Sequence, residues 1–142
     1  MTSREPLFER MALIGLGLLG SSLARVAKRD GLVGHIAGST RSRATLERAF
    51  ELGFLDSIHE TPAEAVKEAD LIVLCAPVGA NADIAAAIAD HLRPGAIVTD
   101  VGSVKQAIVR DVGPHIPSGV HLVPGHPVAG TEKSGPDHGF AE

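Results

Sequence analysis

A chain of 142 residues with a formal net charge of −4 is long enough to bury a core of its own without a disulfide or a metal. The acidic balance provides no general polyanion-binding face, so nucleic acid is not an expected partner. The single cysteine, Cys75, has no partner within the chain and fits a reducing compartment.

The N-terminus superficially reads as a secretory leader, because Arg4 and Arg10 precede the apolar run from Met11 to Leu19. Glu5 and Glu9 spoil the positive flank, however, and glycines interrupt the run. No segment approaches the roughly 18 consecutive apolar residues of a membrane span. The expectation is a soluble, cytoplasmic protein without a membrane partner.

Apolar runs alternate with segments of helical period. Met11 to Ile14 reads as a buried strand, and Leu18 to Arg29 as a helix with Leu19, Leu23, Val26 and Ala27 on one face, ended by Asp30-Gly31. His35 to Ser39 is a second, weaker strand, and Ser42 to Leu52 a second helix that stops at Gly53. Thr61-Pro62-Ala63-Glu64 has the form of a capping box with proline at the first helical position, opening a short helix to Ala69. Leu71 to Ala76 is uniformly apolar, as a parallel strand covered on both faces should be, and Pro77 closes it. Ala82 to Leu92 is a helix with Ile84, Ile88 and Leu92 at core spacing, stopped by Pro94-Gly95. Ala96 to Thr99 is the next strand, Ser103-x-x-Gln106 a second capping box starting a helix to about Val112, and Val120 to Val123 the last strand. Strand and helix alternating with short connections, and no internal repeat, predict one α/β domain over residues 1–142: a doubly wound parallel sheet of Rossmann type.

Gly15-Leu16-Gly17-Leu18-Leu19-Gly20 is a GxGxxG run that follows a predicted strand and opens a predicted helix. In that context Gly15 permits a tight turn, Gly17 lets backbone approach a pyrophosphate, and Gly20 lets helix and sheet pack closely, with Leu18 and Leu19 at the phosphate-facing helix start. Ala76 and Pro77, after the strand from Leu71, lie alongside the same cofactor site. The other reading of the run is a glycine-rich turn that binds nothing.

A site for NAD calls for an acid at the end of the second strand to bind the adenosine ribose. Here that position reads Ser39-Thr40-Arg41-Ser42-Arg43, and no acid occurs between Asp30 and Glu47. Two guanidinium groups with three hydroxyls, and no carboxylate to repel it, suit a 2′-phosphate. NADP is therefore favoured, with NAD possible. The alternative is a solvated helix start, with Ser42 its N-cap and Arg41 and Arg43 surface charge.

Two loops follow later strands: Asp100-Val101-Gly102-Ser103-Val104-Lys105, and Gly125 to Gly135, GHPVAGTEKSG. Together with the glycine fingerprint they resemble the prephenate/arogenate (cyclohexadienyl) dehydrogenase family, over the chain from about Arg10 onward, with GHPVAGTEKSG as the most specific motif. The resemblance implies an oxidative decarboxylation in tyrosine biosynthesis, in which hydride passes from a cyclohexadienol acid to NAD(P). It implies that His126 hydrogen-bonds the substrate's ring hydroxyl and draws off its proton, that Ser103 lies beside both, and that Thr131, Glu132, Lys133 and Ser134 help close the substrate pocket. An imidazole with an unperturbed pKa of about 6.5 suits the proton transfer. The family continues into a helical domain carrying the homodimer interface and a carboxylate-binding arginine, neither of which maps onto this chain. The expectation is that these residues are part of a longer protein and have little turnover alone.

Ser103 also has a purely structural reading as the cap of its helix. The remaining histidines, His35, His59, His91, His115, His121 and His138, fall near element ends or in loops; His115, His121 and His126 have a spacing that matches no helical ligand pair, and Cys75 belongs to a separate strand, so no metal site is expected. Two further functions stay open at this point: a β-hydroxyacid dehydrogenase, which shares the fingerprint but does not need GHPVAGTEKSG, and a non-catalytic nucleotide-sensing module.

Overall fold

A computed structural model describes residues 7–15, 18–76, 78–101 and 105–123. Six strands form one sheet: β1 (Phe8–Ile14), β2 (Val33–Ser39), β3 (Ser57–Ile58), β4 (Leu71–Leu74), β5 (Ile97–Asp100) and β6 (His121–Leu122). The strand order is β3-β2-β1-β4-β5-β6, and every pairing is parallel. Between them run α1 (Leu18–Arg29), α2 (Arg43–Glu51), α3 (Pro62–Ala65), α4 (Asn81–Ile88) and α5 (Lys105–Val112). This is the doubly wound arrangement that the alternation of apolar runs predicts.

The period-2 alternation of each strand sends its side chains to two separate cores. Met11 and Leu13 of β1 with Val73 of β4 pack against Ala24 and Ala27 of α1 and Leu46 and Ala49 of α2. Ala12 and Ile14 with Ile72, Leu74 and Val98 pack on the other face against Ala85, Ile88, Ile108 and Val112 from α4 and α5. Because both faces are covered, the central strands carry no polar side, which is why β4 reads as a continuous apolar run.

Element boundaries differ from expectation where polar residues or caps decide them. β1 starts at Phe8 rather than Met11 because the Asp70 carboxylate accepts hydrogen bonds from the amides of Glu9 (2.9 Å) and Arg10 (3.0 Å), fixing a stretch whose side chains look like a flank. α2 begins after Ser42, whose Oγ accepts from the Thr45 amide at 3.2 Å. Thr61 caps α3 in the same way, accepting from the Glu64 amide at 3.2 Å, but the helix stops at Ala65 instead of Ala69. The chain turns there through Glu68, which adopts a left-handed φ of 64°. α4 is α-helical only to Ile88 and tightens into a 3-10 turn over Ala89–His91, with Leu92 still packed on the core. The last strand is confined to His121–Leu122. The two-residue β3 has too little sequence to show a period.

Candidate functional site

The sheet order reverses direction at β1: the chain builds outward through β2 and β3, then returns to the other side of β1 with β4. Loops leaving the carboxyl ends of β1 and β4 therefore diverge, opening a crevice where α/β proteins bind ligands. A cavity of about 890 Å³ lies there. Ile14 and Gly15 reach it from β1, Cys75 and Ala76 from β4, and Ser39, Thr40, Arg41 and Ser42 from the end of β2. Asp83 and Ile84 of α4 face them, and Glu60 and Pro62 arrive from the connection between β3 and α3.

Gly15 has φ +86°, and a Cβ built on it lies 2.7 Å from the Ala76 backbone nitrogen, so no larger residue fits without moving one strand end. Its amide donates to the Ser39 carbonyl at 2.7 Å, which joins the ends of β1 and β2 at the cavity. Gly20 is buried in α1, and a Cβ there lies 3.1 Å from Cys75 Sγ, so the missing side chain is what lets α1 approach the end of β4. Leu18 and Leu19 form the first turn of α1. The Leu18 and Leu19 side chains, Gly17, Pro77, Ser103, His126 and Thr131 to Ser134 lie outside the described residues.

Cys75 is a wall of this cavity and not a nucleophile. Burial, and then the nearby Asp100 carboxylate, push its thiol up to about 12, leaving it protonated at neutral pH.

The turn after β2 differs from the sequence expectation in one respect. Ser39 is buried and Arg41 is exposed, without an ion pair among the described residues. Arg43, in contrast, is engaged: its Nε donates to Glu47 Oε2 at 2.9 Å and its Nη1 to Glu60 Oε2 at 3.2 Å. The hydrogen bond it donates to Glu47 is the main reason its guanidinium is held more firmly protonated than usual. The turn is thus not free of carboxylates, because folding delivers Glu60 from 17 residues away in sequence. A second cavity of about 400 Å³ shares Thr40, Arg41 and Glu60 with the first and adds Arg43 and Leu46. Sequence reasoning missed Glu60. The available signal is topological, since a strand beside β2 brings its own carboxyl end next to that of β2.

Two histidines read as incidental are joined. His35 Nε2 and His59 Nε2 each lie 2.9 Å from Ser57 Oγ, so one hydroxyl bridges two imidazoles across β2 and β3. Burial, followed by the charge of Arg10, lowers the pKa of both. Among the described residues there is no group of three or more His, Cys, Asp or Glu side chains able to hold a metal, and no helix long and apolar enough to cross a membrane.

A parallel sheet in this strand order, a left-handed glycine at the end of its first strand and a crevice at the reversal point make a Rossmann-type nucleotide-binding domain. Residues 23–142 match the family described as prephenate dehydrogenase, nucleotide-binding domain, and the chain belongs to that family. Over 135 residues it is 42% identical to the cyclohexadienyl dehydrogenase of Zymomonas mobilis, covering 95% of this chain and 46% of that protein. The crystal structure of prephenate dehydrogenase from A. aeolicus in complex with hydroxyphenyl propionate and NAD+ superposes with a TM-score of 0.76 at 32% identity, covering 92% of this chain and 45% of that one. Synechocystis arogenate dehydrogenase gives a TM-score of 0.73 at 35% identity, covering 83% of this chain and 40% of that one. The chain therefore spans less than half the length of these relatives.

Proposed function

We propose that this chain is the NAD(P)-binding part of a dehydrogenase that oxidatively decarboxylates prephenate, arogenate or both in tyrosine biosynthesis. The observation that supports it is the cavity of about 890 Å³ at the sheet's reversal point, in a chain of the prephenate dehydrogenase family. The residues suit a dinucleotide: with no side chain on Gly15 the end of β1 turns tightly against Ala76, and a helix follows whose first N–H groups have no intrahelical partner. When bound, the cofactor supplies the hydride acceptor.

The remaining chemistry falls to the polypeptide. Loss of hydride from the hydroxyl-bearing ring carbon builds positive charge there, which is relieved as the hydroxyl proton passes to a ring nitrogen of His126. Carbon dioxide departs from the opposite ring carbon, leaving its bonding electron pair to complete the aromatic ring. Ser103 positions the same hydroxyl, and Thr131, Glu132, Lys133 and Ser134 close over the substrate. NADP is the preferred cofactor, supported by Arg41, which lines the cavity without an ion pair among the described residues, and by the absence of an acid in the sequence from β2 to Arg43. The parent protein is a cytoplasmic homodimer whose dimer interface lies outside these residues.

The test supplies the full-length parent protein with prephenate, arogenate and a small β-hydroxyacid, each with NAD or NADP, and follows cofactor reduction by absorbance. Reduction with prephenate or arogenate supports the reading. Reduction with the hydroxyacid alone reassigns the enzyme, and nucleotide binding without any turnover leaves a sensing module.

A further inference from the structure

We infer that Glu60 is a specificity-determining residue, whose carboxylate occupies Arg43 and opposes a 2′-phosphate, so that cofactor choice is set by Glu60 together with Arg41 and Arg43. This rests on the reading that a dinucleotide binds in the main cavity with its adenosine half at the end of β2.

Glu60 is placed by the fold and not by its neighbours in sequence. The His59 amide donates to the Gly38 carbonyl at 2.9 Å, extending the β2–β3 ladder, and Thr61 is fixed next to it as the cap of α3. Glu60 therefore stands between two anchored residues at the mouth where β2 ends. It borders both cavities, as do Thr40 and Arg41, whereas Arg43 borders only the smaller one. The Arg43 Nη1 that could turn toward an anion is instead donated to Glu60 Oε2 at 3.2 Å, while Nε stays with Glu47.

The pair is weak enough to be broken. The side chains of Arg43 and Glu60 are 56% and 79% exposed, so water screens their attraction and holding them together adds little to stability. A 2′-phosphate near neutral pH carries about −1.5 to −2 charges and offers several acceptor oxygens, which makes it a stronger partner for a guanidinium than one carboxylate. To use Arg43, NADP must displace Glu60 and then tolerate its charge nearby. NAD does neither. Glu60 thus lowers the selectivity that two arginines alone would give.

The experiment measures dissociation constants of NADP and NAD by calorimetry for the wild-type protein, Glu60→Gln and Glu60→Asp. Glutamine keeps the shape and removes the charge, so NADP should bind about five- to tenfold more tightly while NAD changes by less than about twofold. Aspartate keeps the charge and should stay within about twofold of wild type for both cofactors. The gain in Glu60→Gln should shrink when Arg43→Ala is added, because only direct repulsion of the phosphate then remains, and should shrink as ionic strength rises. An unchanged NADP-to-NAD ratio in Glu60→Gln, or a gain unaltered by loss of Arg43, overturns the assignment. Wild-type protein that binds neither cofactor removes the nucleotide reading itself, which is a separate result from normal binding with an indifferent Glu60. Because selectivity is a ratio within one variant, a general loss of fold stability cannot imitate it.

Discussion

Gly15 and Ala76 approach so closely across the ends of β1 and β4 that a Cβ on Gly15 would lie 2.7 Å from the Ala76 nitrogen. Alanine at position 15 must also hold a φ of +86°. Gly15→Ala should therefore destabilise the domain by about 1–3 kcal/mol and weaken NAD and NADP equally. Chemical denaturation and calorimetry check this, and an unaltered midpoint would show that the strand ends can part at no cost.

Arg41 borders both cavities and has no ion pair among the described residues, so it is the guanidinium most available to an anion. Arg41→Ala should weaken NADP by about 1–3 kcal/mol, the range for a charge-assisted hydrogen bond, and leave NAD nearly unchanged. Equal losses for the two cofactors would make Arg41 a contact to a shared part of the molecule.

His126→Asn retains hydrogen bonding but cannot take up the substrate's proton at neutral pH. In the full-length parent, kcat should fall by about a hundredfold to ten-thousandfold with cofactor affinity preserved. Near-normal turnover would exclude His126 as the base.

The His35–Ser57–His59 bridge predicts a pH effect on stability. Burial, then Arg10, lowers both imidazoles, with Lys28 also acting on His35, while Asp56 opposes the shift at His35 and Glu64 opposes it at His59. With folded pKa values below the unfolded value of about 6.5, the unfolded chain takes up more protons in the window between them. Stability should thus be steady above pH about 6.5 and fall as the pH drops below it. Urea denaturation at a series of pH values reads this directly, and replacing His59 with Gln should flatten the slope between pH about 7 and 5. A slope unaffected by that change would place the titration elsewhere.

At Asp56, burial alone would raise the carboxyl, but hydrogen bonds from Lys28 and the Ile36 amide, with the charges of Lys28 and His35, together outweigh it and lower the pKa. Its contribution is therefore present above the ordinary carboxylate range and lost as the pH falls through the lowered value. Lys28→Met should weaken the protein at neutral pH and move the acid limb of the stability curve upward, as followed by circular dichroism.

Features carried by local chemistry were legible in the sequence. Apolar runs marked β4 and β5, hydroxyls marked the caps at Ser42 and Thr61, and the glycine spacing marked Gly15 as a tight turn and Gly20 as a close helix–sheet contact. Features created by long-range juxtaposition were not. β3 is two residues long and is held by its ladder to Ala37 and Gly38 rather than by any pattern of its own. Glu60 follows from it, so a missed strand concealed the carboxylate that engages Arg43. The start of β1 was obscured in the same way, since the amides of Glu9 and Arg10 are satisfied by an aspartate about 60 residues further along.

That last contact bears on the order in which the protein can assemble as it is made. β1 is synthesised before the other five described strands, yet it lies at the middle of the sheet and meets β4 through the register Met11 to Leu71. One edge of β1 can be filled early by β2, whereas the other stays open until residues beyond Leu71 have emerged. Closing so long a loop is entropically slow, and an open central edge is the part of a nascent chain most exposed to wrong pairing. The two strand ends that flank the crevice are also the pair that must find each other last in this first half of the sheet. A ligand that binds only once they have met will favour the finished arrangement by mass action, so cofactor present during synthesis should raise the yield of folded chain.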